Sequence, residues 1–115
     1  MSAPERLLTP ITDKLVERIT TRIVQKFRPE RIIAFGSYAR GMQNSGSDLD
    51  LLVVMNTDKP FTERTVEVDS IFGLRDWAMD IVVYTPEEFS EKQNVWGTLA
   101  ATIKAEGKVL YEQPR

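Results

Sequence analysis

Two aspartates separated by a single leucine, Asp48 and Asp50, stand where a turn gives way to the apolar run Leu51-Leu52-Val53-Val54-Met55. Side chains on a strand alternate between faces, so a strand here projects both carboxylates to the same side. Like charges held side by side are costly unless a cation sits between them, which is a reason to expect a divalent metal. A third carboxylate, Asp80, opens a later apolar run, Ile81-Val82-Val83. Upstream, Gly36 and Ser37 follow the apolar segment Arg31-Ile32-Ile33-Ala34-Phe35 and are separated from Asp48 by ten residues. Glycine lets the backbone come close to a phosphate, and N–H groups at a helix start attract anions. The Ser37 hydroxyl can donate a further hydrogen bond, and Arg40 offers positive charge to a polyphosphate.

Three carboxylates at one end of a sheet can hold two magnesium ions, which prefer oxygen ligands and retain several waters. Two such ions roughly 4 Å apart stabilise the entering and leaving oxygens of a displacement at phosphorus. The parts together fit nucleotidyl transfer: a nucleoside triphosphate is attacked at its α-phosphorus and pyrophosphate leaves. Each part alone has a plainer reading. A lone D-x-D is usually a solvated strand start, Gly-Ser is an ordinary turn, and Asp80 alone could face water. The combined spacing, between two strands, is what favours the chemical reading.

Composition narrows the chemistry. The chain has 115 residues, suited to one domain over 1–115. Its formal net charge is -2, so nucleic acid is disfavoured as a direct partner. It contains no cysteine and no histidine, which excludes thiolate and imidazole metal sites and serine–histidine triads. No apolar run approaches the roughly 20 residues of a membrane span, and no basic-then-apolar leader opens the chain. These features predict a soluble, cytoplasmic domain without a membrane partner.

The elements that must position these residues follow from periodicity. Residues 1–9 read as a lead-in. Ile11, Leu15, Val16, Ile19, Ile23 and Phe27 recur at helical spacing and predict an amphipathic helix over Pro10 to Phe27, with Thr9 as cap and Pro29 as terminator. Arg18, Arg22 and Lys26 fall on its polar face as a solvated stripe. A strand at 31–35, a short helix near Tyr38 to Gly41, a polar loop at 42–47 and a strand at 49–55 come next. A helix at 61–73 has Phe61, Val68, Ile71 and Phe72 as inward candidates. The third strand is Ala78 to Tyr84. Thr85-Pro86-Glu87-Glu88 is a capping box with proline at the first helical position, its glutamates marking a helix start rather than a metal site. A helix at 97–106 ends at Gly107, and 108–111 suit a small edge strand. Trp77 and Trp96 read as packing residues.

Connection lengths predict the sheet. A short, looped link makes the first two strands antiparallel, whereas the helix between the second and third suits a parallel crossover. That topology brings Gly36, Ser37, Asp48, Asp50 and Asp80 to one sheet edge. The expected class is α+β: a small mixed sheet flanked by helices.

Gly36-Ser37, ten residues, Asp48-x-Asp50 and a later strand bearing Asp80 resemble the nucleotidyltransferase superfamily that includes DNA polymerase beta. Gly-Ser-Tyr-Ala-Arg-Gly (36–41) with Ser-Asp-Leu-Asp-Leu-Leu-Val (47–53), and the ending Gly-Lys-Val-Leu-Tyr-Glu (107–112), are similar to the minimal nucleotidyltransferases. The resemblance implies that Asp48 and Asp50 bind both magnesium ions, and that Asp80 completes the set and helps activate the attacking hydroxyl. Gly36 and Ser37 would hold the triphosphate of ATP, and Arg40 would contribute to nucleotide binding. It further implies an antitoxin that transfers AMP to a tyrosine of a partner HEPN toxin. Two other readings remain open at this point: an antitoxin acting by contact alone, and a small-molecule nucleotidyltransferase completed by a partner chain.

Overall fold

The computed structural model describes residues 9–42 and 48–114. Four strands carry the architecture: β1 (Arg31–Phe35), β2 (Leu49–Val54), β3 (Met79–Tyr84) and β4 (Lys108–Glu112), in the order β3-β2-β1-β4. β1 runs antiparallel to β2 and to β4, and β2 runs parallel to β3. The mixed sheet, the antiparallel first pair and the parallel crossover are as the connection lengths predict, and β4 lies at the edge as expected of 108–111. The lead-in at 1–8 and most of the loop predicted at 42–47 lie outside the described residues.

Side-chain alternation divides the core into two layers. Leu51, Val53, Ile81 and Val83 face α1 (Asp13–Phe27), whose Leu15, Val16, Ile19 and Ile23 are buried against them. Val68 of α3 (Phe61–Asp69) and Phe72 of the 3-10 turn Ser70–Phe72 complete this layer. Leu52, Val54 and Tyr84 face the other way, onto Phe89 of α4 (Pro86–Lys92) and Ala100 and Ile103 of α5 (Leu99–Glu106). By the same alternation Asp50 and Asp80 belong to this second face, beyond the reach of α1.

Some predicted boundaries and contacts differ from those found. The first helix begins at Asp13 rather than Pro10, because Thr12, not Thr9, caps it: the Thr12 hydroxyl accepts from the Leu15 N–H at 3.2 Å. The short helix after β1 is α2 (Gly36–Ala39), two residues earlier than expected. α5 starts at Leu99 because Thr98 accepts from Ala101 N–H. Phe61, taken as inward, is half-exposed at the first position of α3 and meets Tyr84 with ring centroids 5.9 Å apart. Trp96 is 96% exposed and packs on nothing, whereas Trp77 meets Phe72 edge-on at 6.0 Å. Arg22 is not simply solvated: it donates to the Ile71 carbonyl at 2.7 Å and lies over the Phe72 ring. The Thr85–Glu88 capping box is present as predicted. Among the described residues no helix is long and apolar enough to cross a membrane.

Arg64 ties the crossover to β3. The residue is 7% exposed, and its guanidinium donates to the Val83 carbonyl on β3 at 3.4 Å, to the Lys59 carbonyl at 2.9 Å and to Glu88 Oε1 at 2.7 Å. The bond from Arg64 holds the Glu88 carboxyl below its usual range. Arg64→Ala strands those acceptors, and we expect a loss of about 2–3 kcal/mol, read as a fall in Tm of roughly 10 °C. A carboxylate with a depressed folded pKa stabilises at neutral pH and loses that contribution as pH falls through the folded value. The gap between wild type and variant should therefore narrow in acid when thermal melts are repeated across pH 7 to 3.

Candidate active site

β1 delivers the chain to the site. Phe35 stands opposite Asp50 on β2, and the next residue, Gly36, turns with φ of 71° into α2. That left-handed value suits glycine, and space forbids anything larger: a Cβ on Gly36 would collide with Asp50 Oδ2 and lie 3.2 Å from its Cγ. The Asp50 carboxylate thus rests directly on the Gly36 backbone. In the parallel ladder Asp50 is in register with Asp80. Residues in register on neighbouring strands point to the same face, so the two carboxylates stand beside each other. Asp48 lies two residues before Asp50, just ahead of β2. Asp50 is half-buried, while Asp48 and Asp80 are exposed.

Asp50 carries the electrostatic strain. Burial, and then the charges of Asp80 and Asp48, push its carboxyl above the usual range. Among the described residues no group of three or more Asp, Glu, His or Cys side chains is arranged to hold a metal ion. The donor chemistry nonetheless fits a hard divalent cation. Asp50 and Asp80 would offer adjacent carboxylate oxygens, and positive charge beside them would relieve the repulsion that raises Asp50. Magnesium in particular is usually bound by one or two carboxylates together with substrate phosphates and water.

The remaining predicted residues are placed as follows. Ser37 is half-buried in α2 next to Gly36. Arg40, one turn on, is exposed and lies 3.5 Å from Glu106 at the end of α5. Both partners are half in solvent, so that pair is weak and leaves Arg40 free to swing. Two residues that the sequence did not single out join the turn after β1 to α1. Tyr38 is the buried residue of α2, and its hydroxyl donates to Asp13 Oδ1 at 2.6 Å. They are 25 positions apart, and no spacing rule links a first-turn aspartate of one helix to a tyrosine in the next.

Comparison with known proteins follows this geometry. A profile of the nucleotidyltransferase domain matches residues 16–113, which is most of the chain. The chain belongs to the nucleotidyltransferase domain family. A candidate protein adenylyltransferase of Methanocaldococcus jannaschii is 29% identical over 102 residues, covering 86% of this chain and 97% of its own. The fold is that of a candidate nucleotidyltransferase from Sulfolobus solfataricus, with a TM-score of 0.60 at 24% identity over 87% of this chain and 79% of that one. It is shared with a toxin–antitoxin crystallised with AMP-PNP, at a TM-score of 0.55 and 22% identity over 84% of this chain and 73% of that one. The nucleotidyltransferase match spans β1 to β4, and so includes every strand that bears a site residue.

The raised Asp50 carboxyl has a thermodynamic sign. A folded pKa above the unfolded one means stability is present in acid and lost as pH rises through the folded value, so ionised Asp50 opposes folding at neutral pH. Asp50→Asn keeps the shape against Gly36 and removes the charge. It should raise Tm at pH 7 by a few degrees, and the gain should shrink toward pH 4 in calorimetric scans.

Proposed function

We propose that this nucleotidyltransferase transfers AMP from ATP to a tyrosine hydroxyl of a partner HEPN toxin and so acts as its antitoxin. The observation that carries the reading is the in-register pair Asp50 and Asp80 beside the Gly36 turn. Like charges are held together there at a cost to folding, which a purely structural edge has no reason to bear. The adenylyltransferase relative and the toxin–antitoxin neighbour bound to an ATP analogue support the choice of nucleotide and of a protein acceptor. On this reading residues 1–115 work as a single domain in the cytoplasm.

In the reaction the acceptor oxygen attacks the α-phosphorus, a new O–P bond forms, and the bond to the bridging oxygen breaks to release pyrophosphate. Asp80, the more exposed of the pair, takes the proton of the attacking hydroxyl. Asp48 and Asp50, with Asp80 completing the set, would hold magnesium, two ions on this reading, and the metal would supply Lewis acidity at the phosphates. Gly36 and Ser37 offer backbone N–H groups and a hydroxyl to the triphosphate. Arg40 reaches the same phosphates once it leaves Glu106.

Mass spectrometry of the partner toxin after incubation with ATP and magnesium should show one or more added AMP groups. Asp48→Ala combined with Asp50→Ala should abolish the modification, and Gly36→Ala should reduce it at least about 100-fold by displacing Asp50. If the Asp48→Ala/Asp50→Ala protein still neutralises the toxin in cells, contact alone is sufficient and the transfer reading falls. Labelled ATP that passes only to small hydroxylated acceptors would assign the same site to a small-molecule nucleotidyltransferase.

A further inference from the structure

We infer that the hydrogen bond from Tyr38 to Asp13 is a positioning element of this site: it pins the turn carrying Gly36 and Ser37 to the first turn of α1, and so sets how that turn stands against the Asp50 carboxylate. The inference rests on the nucleotidyltransferase reading above for its effect on rate, but its structural half stands alone.

α2 cannot hold itself in place. It has four residues, far below the roughly 12 at which an isolated helix becomes marginally stable. Phe35 at its N-cap supplies no side-chain hydrogen bond. Two glycines in the left-handed region, Gly36 at φ 71° and Gly41 at φ 68°, bound it, so the backbone can rotate at either end. Arg40 contributes only its surface pair with Glu106. What remains is Tyr38, 6% exposed, whose ring joins the core layer of Leu15, Val16 and Ile19.

Packing buries that ring but gives it no directional bond. A groove of about 660 Å³ between α1 and β4 has Tyr38 in its wall, together with Asp13, Val16, Lys108 and Tyr111. The ring is thus buried in the core layer and borders open space on one flank only. The hydroxyl adds a directional hold to that packing. It donates at 2.6 Å to a carboxylate, a short charge-assisted bond with a direction. Asp13 is itself held, because it lies in the first turn of α1, directly after the Thr12 cap. Lys108 Nζ sits 5.4 Å from the ring centroid on the β4 side. Burial and the bond to Asp13 also push the Tyr38 hydroxyl up to about 12, so it remains a donor throughout the working range. The anchor is two residues from Gly36, and Gly36 touches Asp50. Any slip of the ring passes along this short lever to the carboxylate.

The test compares Tyr38→Phe, Asp13→Ala and Asp13→Asn with wild type, by AMP transfer with magnesium–ATP, hydrogen exchange and thermal melts. Tyr38→Phe and Asp13→Ala should each lower kcat/KM about tenfold, a loss of one hydrogen bond's worth of alignment. Asp13→Asn keeps an accepting oxygen and should recover most of the rate. The double variant Tyr38→Phe/Asp13→Ala should be no worse than either single change. The amides of Arg40 and Gly41, which bond to Gly36 and Tyr38 carbonyls, should exchange faster in Tyr38→Phe. A merely structural hydroxyl would lower Tm and leave kcat/KM of the folded protein unchanged, and that result overturns the inference. If wild type transfers no AMP, the functional reading fails by itself. Exchange then decides the positioning claim: unaltered rates at Arg40 and Gly41 in Tyr38→Phe sink it, and faster rates with α1 unaffected uphold it.

Discussion

The contact between the Asp50 carboxylate and the backbone of Gly36 is the constraint on which the rest of this molecule turns. It requires β1 and β2 to be antiparallel with Phe35 opposite Asp50, so that the residue leaving β1 passes beneath the carboxylate. It requires glycine at that residue, for its left-handed backbone and for want of space. The parallel pairing of β3 then adds Asp80 on the other flank. One close approach thus links three strands, and the charge concentrated there opposes folding instead of assisting it.

The two faces of the sheet divide the labour. One is closed by α1, α3 and the 3-10 turn, and contains most of the buried aliphatic residues. The other is covered by the shorter helices α4 and α5 and is open where the carboxylates emerge. Stability drawn from the closed face offsets the strain on the open one, a common balance between folding and function. At the edge of the sheet, β4 has a register irregularity opposite Ile32 and Ile33 and bears Lys108 and Glu112. Bulges and charges of that kind discourage further strands from adding to an exposed edge.

Much of this was legible in the sequence, and the reasons are physical. The runs 31–35, 49–55 and 78–84 read as strands because strand burial demands β-branched and aliphatic residues, and connection length decided their directions. The register of Asp50 with Asp80 was legible because a single parallel crossover aligns their strands. The start of α1 was misjudged because Thr9-Pro10 and Thr12 both carry capping chemistry, and only tertiary packing chooses between them. Trp96 and Phe61 were misjudged because a large apolar side chain is no guarantee of burial. The Tyr38–Asp13 bond was invisible for a deeper reason: it joins two helices whose relative rotation no local pattern encodes.

The parallel pairing of β2 with β3 bears on when the site comes into being. Asp50 and Asp80 are distant in the chain and meet only after the intervening crossover through α3 has folded back onto the sheet. Long-range parallel pairing is among the slower events of folding, since the loop must close before any ladder bond rewards it. A nascent chain emerging from the ribosome therefore carries half a site until β3 has been made and docked. The two carboxylates share one surface only after tertiary closure, and whatever binds the closed form alone favours the closed chain over the open one.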